Sequence, residues 1–82
     1  MIFLVLTGAD HGENLREIRR YRRHIDGVEL RADYLADPRA AGLGEFLAEA
    51  ALPAILTLRR PEDGGRWGGG EEERGRLYRD ML

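Results

Sequence analysis

Four amino acids are missing from this sequence of 82 residues: cysteine, lysine, serine and glutamine. Without cysteine, the chain can form no disulfide and has no thiolate for catalysis. Without lysine, an amine could act in covalent catalysis only at the N-terminus, and a phosphate-binding loop with its GK[S/T] motif is excluded. No apolar run approaches the roughly 20 residues that cross a bilayer. The opening MIFLVL lacks the basic region and cleavage site of a signal peptide, so we expect a cytoplasmic protein without membrane contact.

The chain is nearly balanced in charge, with 13 basic and 15 acidic residues, and every basic residue is arginine. Arginines of the segment Arg16–Arg23 would form a stripe on one helix face, which could bind the phosphates of RNA. Glu13 and Glu17 lie at pairing distance from this stripe, so the solvated outer face of a helix explains it better, and we expect no nucleic-acid binding. His11, His24 and the acids near them lack the spacing of zinc ligands, and we predict neither a metal nor a cofactor.

Hydrophobic patterning divides the chain into alternating strands and helices. The continuous apolar run at the start is typical of a strand buried on both faces. Later residues recur at helical spacing, as in the stripe of Leu43, Phe46, Leu47 and Ala50. Repeated β-α units predict an α/β fold with a parallel three-stranded sheet and right-handed crossovers. The predicted strands are 2–8, 27–35 and 52–59, and the predicted helices are 12–26, 37–52 and 71–82.

The helix ends carry their own signals. Asn14 or Gly12 is expected to cap the first helix, and Asp37 before Pro38 indicates the start of the second. Arg22 falls on the apolar side of the first helix, so we expect its stem to lie along the sheet and its charged head to reach water.

The segment 60–70 is rich in glycine and follows the third predicted strand. Its composition predicts a mobile loop. Trp67 in this loop could cap the open end of the strands or anchor a contact.

Polar and apolar residues alternate where the second and third predicted strands end. Glu29 and Arg31 end the second strand, and Thr57 and Arg59 end the third. Since parallel strands end at one edge of a sheet, these four side chains should converge there. In a (β/α)₈ barrel this edge carries the active site. A purely structural ion-pair cluster of Glu29, Arg31 and Arg59 is the alternative.

Two spaced motifs carry a resemblance to a known family. The segment Glu29–Asp33, ELRAD, has the form E-x-R-x-D. The segment Thr57–Gly65, TLRRPEDGG, follows T-x-R-x-x-x-E-G-G, with Asp63 in place of the glutamate. In this order they resemble the N-terminal third of type I 3-dehydroquinate dehydratase. The resemblance covers essentially the whole chain, and it implies three consecutive β-α units of an incomplete (β/α)₈ TIM barrel.

The resemblance also implies a chemistry. Members of that family are lyases of the shikimate pathway, which leads to the aromatic amino acids. They dehydrate 3-dehydroquinate to 3-dehydroshikimate through an imine on a lysine, and a histidine transfers protons. By similarity, Glu29, Arg31 and Arg59 would hold the substrate's hydroxyls and each other. Asp63 would orient the catalytic histidine, whereas Asp33 is interpreted as a turn residue.

The residues for the covalent chemistry are absent. The chain has no lysine, and neither histidine matches the family motif, so we assign no catalytic residue. A complete barrel takes about 200–250 residues, and we interpret residues 1–82 as a single partial barrel domain, a truncated dehydratase that is inactive alone. It would bind 3-dehydroquinate once the rest of a barrel completes it. Bare sheet edges predict self-association or a complementary chain. The alternative function is a small α/β protein-interaction module that uses these edges.

Overall fold

The computed structural model describes residues 1–37 and 42–81. The strands are β1 (Phe3–Leu6), β2 (Gly27–Arg31) and β3 (Ala54–Thr57), and the helices are α1 (His11–Tyr21), α2 (Leu43–Ala50) and α3 (Glu71–Met81). Three 3₁₀ turns, Arg22–His24, Ala32–Tyr34 and Pro61–Asp63, follow α1, β2 and β3. The predicted order of strands and helices is confirmed, although most elements are shorter than predicted. None of the helices in these two ranges has the length and apolar character needed to cross a bilayer.

The three strands form one parallel sheet in the order β1-β2-β3, as predicted. Val5 lies beside Glu29, and Glu29 lies beside Ile55. Arg31, the last residue of β2, lies beside Thr57, the last residue of β3. The carboxyl ends of β2 and β3 therefore meet at one edge of the sheet.

The described helices pack on one side of this sheet. The buried cluster consists of Leu6, Ile18, Val28, Leu30, Ala32, Phe46, Ala50, Leu58 and Trp67. Alternation along the strands places Val5 and Ile55 on the other side, where they are 50% and 52% exposed. We call this side, which carries Val5, Glu29, Arg31, Ile55 and Thr57, the open face. The expectation that the first strand is buried on both faces is wrong, because the described helices cover only one.

Gly27 begins β2 at a crowded point. A β-carbon at this position would lie 2.6 Å from the Phe3 ring and 2.7 Å from the carbonyl oxygen of Pro53. Such distances mean overlap, so a larger residue would have to move the backbone. The same Pro53 oxygen accepts a hydrogen bond from the Val28 N–H at 2.9 Å. Glycine thus lets Phe3 cover this end of the sheet while β2 and β3 keep their register.

The cap of α1 differs from the predicted one. Asp10, rather than Gly12 or Asn14, is the capping residue, and its Oδ1 accepts a hydrogen bond from the Glu13 N–H at 2.8 Å. Asn14 is buried inside the first turn, where its Oδ1 accepts from the Gly8 N–H at 2.9 Å. An aspartate just before the first turn binds a backbone donor that has no partner within the helix.

Arg22 binds the end of another helix. It follows α1 as the first residue of a 3₁₀ turn, and its Nη2 donates to the carbonyl oxygen of Ala50 at 2.8 Å. Arg22 is exposed, as expected, but this hydrogen bond was not predicted. The last carbonyls of α2 can accept it because they have no partner within that helix and lie at the negative end of its dipole. Arg22 therefore joins the C-terminal ends of α1 and α2.

Helix α2 bears out its predicted apolar side in part. Phe46 and Ala50 are buried, but Leu47 is exposed, so the stripe on α2 is narrower than predicted. The predicted start of this helix at Pro38 lies outside the described residues, and α2 begins at Leu43. In α3, Leu77 and Tyr78 pack against the buried cluster, and the acids of the first turn, Glu71, Glu72 and Glu73, lie at the positive end of the helix dipole.

Candidate functional site

Polar side chains from β2 and β3 lie together on the open face. Glu29 and Arg31 alternate with buried core residues, and Thr57 lies beside Arg31 in the next strand. Thr57 Oγ1 donates a hydrogen bond to Glu29 Oε2 at 2.7 Å. Arg59 is exposed and follows the buried Leu58, so alternation places it on the same side as Thr57. The predicted convergence of polar residues at this edge is therefore present.

Arg31 pairs with Asp33 rather than with Glu29. Its Nε donates to Asp33 Oδ1 at 3.0 Å, and its Nη2 donates to Oδ2 at 2.8 Å. The side chains of Arg31 and Asp33 are 9% and 0% exposed. Because β2 ends at Arg31, the turn Ala32–Tyr34 brings Asp33 back to the guanidinium. Glu29 forms no ion pair with Arg31 or Arg59 among residues 1–37 and 42–81, so the contacts expected among these three are replaced by the Arg31–Asp33 pair.

Burial and hydrogen bonding act in opposite directions on the Asp33 carboxylate. Desolvation by burial raises its pKa and is the largest single influence. Hydrogen bonds from the Arg31 guanidinium and from the backbone N–H groups of Arg66 and Arg59 lower it, and together they leave the pKa of Asp33 below its ordinary value. The hydrogen bond to Asp33 in turn raises the pKa of Arg31. Both partners are therefore ionised at neutral pH, and their hydrogen bonds are charge-assisted.

The pairing leaves one edge of the Arg31 guanidinium available. A guanidinium has five N–H donors, and the contacts with Asp33 occupy donors on Nε and Nη2. Nη1 donates to no atom in the described part of the chain. The guanidinium carbon also lies 4.9 Å from the centre of the Tyr34 ring, and that of Arg66 lies 4.3 Å from it. Asp33 and Tyr34 thus fix the plane of Arg31, and the edge formed by Nη1 and Nη2 can bind two oxygens of a ligand.

The loop after β3 is attached to the same carboxylate. The Arg66 N–H donates to Asp33 Oδ2 at 3.0 Å, and the Trp67 N–H donates to the carbonyl oxygen of Arg59 at 3.0 Å. Trp67 is 3% exposed and belongs to the buried cluster. Trp67 therefore anchors the loop at this point, as predicted, and the mobility expected from the glycines of this loop stays a prediction.

The two glycines of the second motif have different structural reasons. Gly64 ends the 3₁₀ turn with a φ of 86°, a left-handed conformation that glycine adopts without strain. At Gly65, a β-carbon would collide with the main chain of Arg59. The Gly-Gly pair thus lets the loop fold back closely against Arg59, the last of the polar residues at this edge of the sheet.

Helix α3 holds the main chain beside Arg59. The hydroxyl of Tyr78 accepts a hydrogen bond from the Leu58 N–H at 2.7 Å, and Arg74 Nη1 donates to the Leu58 carbonyl oxygen at 2.7 Å. The Arg59 guanidinium has no hydrogen bond or ion pair within the described ranges. Its backbone is therefore fixed on both sides, while its charged head is available to a ligand.

Asp63 lies in a separate, exposed pair. Its Oδ2 accepts from Arg60 Nε at 2.9 Å and from Nη2 at 2.8 Å. His11 instead stacks on Phe46, with 5.0 Å between ring centres. No contact joins Asp63 to a histidine in the part of the chain that the structure describes. Its role toward a catalytic histidine stays a prediction that concerns a residue outside this chain.

The remaining surface features involve neither Glu29 nor Arg59. The arginines of Arg16–Arg23 are exposed, and Arg19 lies 3.9 Å from Glu49. No contact among the described residues points to RNA binding by these arginines. The expectation that the chain binds no nucleic acid stays a prediction. Within residues 1–37 and 42–81, no group of three or more acidic or histidine side chains could hold a metal ion. Open clefts of 460 and 330 Å³ lie at the end of β1 and beside Asp33, and neither is lined by Glu29 or Arg59.

Sequence reasoning missed the double role of Asp33. The sequence predicts only a turn there, and the turn is present, but the side chain is also the partner of Arg31. The available signal was its place in the first motif, two residues after the arginine. Tyr34 and Arg66 offered no signal, because their contacts depend on how the loop after β3 folds back.

Comparison with known proteins gives a consistent set of relatives. A family model described as type I 3-dehydroquinase matches residues 2–82. A 3-dehydroquinate dehydratase from Pyrobaculum aerophilum is 47% identical over 60 residues, which is 67% of this chain and 19% of that protein. One from Methanococcus maripaludis is 28% identical over 82 residues, covering 100% of this chain and 36% of that protein.

A solved structure agrees with the sequence matches. The crystal structure of the 3-dehydroquinate dehydratase from Aquifex aeolicus superposes with a TM-score of 0.69 and 33% identity, and the match covers 99% of this chain and 36% of the other. The chain thus spans about a third or less of the length of these relatives.

Proposed function

Because the chain belongs to the type I 3-dehydroquinase family, we propose that it carries part of the binding site for 3-dehydroquinate. In this proposal Glu29, Arg31 and Arg59 hold the substrate at the carboxyl edge of β2 and β3. Residues 1–82 would act as one partial (β/α) barrel domain, and the family's place in the shikimate pathway favours a cytoplasmic location.

The available edge of Arg31 is the observation that carries the proposal. Asp33 occupies Nε and one side of Nη2, so Nη1 and the rest of Nη2 can donate to a hydroxyl or ketone oxygen. Because Arg31 is buried and little water surrounds it, the local dielectric is low, and each hydrogen bond from its guanidinium to a ligand is strengthened. Arg31 is 7% exposed and already oriented, so binding costs little side-chain entropy.

Glu29 and Arg59 complement this donor. The Thr57 hydroxyl occupies Glu29 Oε2, and Oε1 has no hydrogen-bond partner among residues 1–37 and 42–81. A carboxylate oxygen of this kind accepts a hydrogen bond from a substrate hydroxyl. Arg59 offers a second guanidinium on a backbone held by Trp67. Together, Glu29, Arg31 and Arg59 therefore present one acceptor and two cationic donors to a polyhydroxylated ring.

The covalent step needs residues from elsewhere. In the family chemistry, a lysine amine condenses with the substrate ketone, water leaves, and the resulting imine acidifies the neighbouring C–H bond. A histidine then removes that proton and helps the hydroxyl leave as water. This chain has no lysine, and His11 is stacked on the core residue Phe46. We infer that the chain alone does not dehydrate 3-dehydroquinate.

The test is to supply the missing part of the barrel. The chain is mixed with a polypeptide that carries the remainder of the Aquifex aeolicus relative, and the ultraviolet absorbance of the conjugated product is followed. Product should form only in the mixture, and borohydride should trap an adduct on the added polypeptide. Arg31→Lys and Glu29→Gln should lower the rate, whereas the exposed Arg23→Lys should leave it unchanged. Turnover by the chain alone, or equal rates for all variants, would contradict the proposal.

A second candidate function rests on the open face. Val5 and Ile55 are about half exposed there, and in the described residues β1 and β3 each have one unpaired edge. Exposed apolar strands with free edges favour association. We therefore propose that the chain associates with itself or with a complementary chain, as a small α/β interaction module would. Size-exclusion chromatography with light scattering on the chain alone tests self-association, and a monomer at all concentrations would contradict it. The same measurement on the mixture with the Aquifex aeolicus polypeptide tests the complementary chain, and separate peaks would contradict that association.

A further inference from the structure

We propose that Asp33 is a positioning residue that sets both arginines of the site, Arg31 through its side chain and Arg59 through its main chain. The inference rests on the substrate-binding role proposed for these arginines, and it goes beyond that role by naming what orients them. Neither motif assigns this task to Asp33, and the sequence predicts only a turn at its position.

The contact with Arg31 fixes the direction of the guanidinium. Two hydrogen bonds, at 3.0 Å from Nε and 2.8 Å from Nη2, define a plane as well as a distance. A single contact would leave the guanidinium free to rotate about the donor. Because the Asp33 side chain is 0% exposed, water cannot compete for either oxygen. The carboxylate therefore decides which edge of Arg31 faces the open side of the sheet.

The contact with the loop transmits the same constraint to β3. The Arg66 N–H donates to Asp33 Oδ2 at 3.0 Å, and the next residue, Trp67, donates its N–H to the Arg59 carbonyl oxygen at 3.0 Å. The Arg59 backbone N–H also lowers the pKa of the Asp33 carboxyl. One carboxylate from the end of β2 thus holds the main chain that follows β3. The spacing between the two guanidiniums is then a property of Asp33 and not of the sheet alone.

Hydrogen exchange observed by NMR on the whole chain tests this in the wild type. The Nε–H of Arg31 should exchange about 10- to 100-fold more slowly than that of Arg60, since hydrogen bonds to charged groups are worth about 1.5–3 kcal/mol when buried and water reaches the Arg60–Asp63 pair. Arg31 exchanging as fast as Arg60 would overturn the inference, and this measurement needs no variant to fold.

Two variants separate positioning from general loosening. Asp33→Asn should speed exchange at the Arg31 Nε–H and at the backbone amide of Arg66. Arg31→Lys should leave the Arg66 amide protected, because Asp33 keeps its bond to that N–H. Equal loss of Arg66 protection in both variants would mean that the region simply loosens, and the inference would fall. The matched control Asp63→Asn should change only the Arg60 signal.

The hydrogen-exchange measurements do not depend on catalysis, so the two proposals can fail separately. If the mixture with the Aquifex aeolicus polypeptide forms no product while the exchange pattern is as expected, the proposed function fails and the positioning role of Asp33 stands. If product forms and Arg31→Lys lowers the rate, but the Arg31 Nε–H exchanges freely, the substrate site stands and Asp33 does not organise it.

Discussion

Replacing Asp33 by asparagine should cost much more stability than the same change at Asp63. Both aspartates pair with an arginine at 2.8 Å. The Arg31–Asp33 side chains are 9% and 0% exposed, whereas those of Arg60 and Asp63 are 36% and 53% exposed. Removing one partner of a buried pair costs about 3–5 kcal/mol, because a charge is left buried without its counter-ion. The exposed arginine simply regains water.

The expected loss of stability in Asp33→Asn is large relative to the total free energy of unfolding of the chain. At about 0.05–0.15 kcal/mol per residue, a chain of 82 residues is stabilised by roughly 4–12 kcal/mol. With a urea dependence of about 1 kcal/mol per molar for a small protein, the midpoint of unfolding should fall by roughly 3 M or more in Asp33→Asn. Trp67 is the one tryptophan in the sequence and is 3% exposed, so its fluorescence reports the transition.

The comparison between the two variants decides the matter. Urea unfolding of wild type, Asp33→Asn and Asp63→Asn is followed under one buffer, with sucrose added to all three if Asp33→Asn is partly unfolded without denaturant. An Asp33→Asn protein no less stable than Asp63→Asn would refute the reasoning, since the buried pair would then contribute no more than the exposed one.

The structure leads to three further predictions, on the pH dependence of stability, on two glycines and on the open face. The pKa of Asp33 in the folded chain is below its ordinary 3.8, so the unfolded chain should bind a proton at this group first as the pH falls below about 4. The free energy of unfolding should therefore drop more steeply with falling pH in wild type than in Asp33→Asn. Equal slopes in the two proteins would argue against this. Gly27→Ala should destabilise the chain by about 1–3 kcal/mol, because its β-carbon would overlap neighbouring atoms. Gly44→Ala should stabilise α2 by about 0.5–1 kcal/mol, because a β-carbon there meets nothing within 4 Å. The midpoint of thermal unfolding should therefore fall in the first variant and rise in the second. Val5→Asp combined with Ile55→Asp should reduce association seen by light scattering while the circular dichroism stays the same, and unchanged association would place the contact elsewhere.

The family membership and the order of elements followed from short patterns. Period-two alternation at Glu29–Arg31 and Thr57–Arg59 identifies strand ends with one polar side, and helical spacing at Phe46 and Ala50 identifies a covering helix. These patterns are local, since each depends on how neighbouring residues project from one element. For that reason the parallel sheet and the polar edge were predictable without coordinates.

Contacts between elements were harder to predict. Arg22 is exposed, as expected, but its hydrogen bond to the end of α2 was not predicted, because that end lies within its reach only after the two helices pack. Trp67 was expected to cap the strands or anchor a contact, but the partners that it meets in the core were not predictable, because they depend on Gly64 and Gly65 letting the loop fold back against Arg59. In each case the partner is distant in sequence, and no periodicity records it.

By itself, the sequence determined that strands and helices alternate, that polar residues gather where two strands end, and that lysine chemistry cannot come from this chain. Only the tertiary structure decided that Arg31 takes Asp33 as its partner and leaves Glu29 to Thr57. The physical reason is that side-chain periodicity is set by covalent geometry within one element. The choice among several nearby charges depends instead on where a turn directs each of them and on how much water is excluded there.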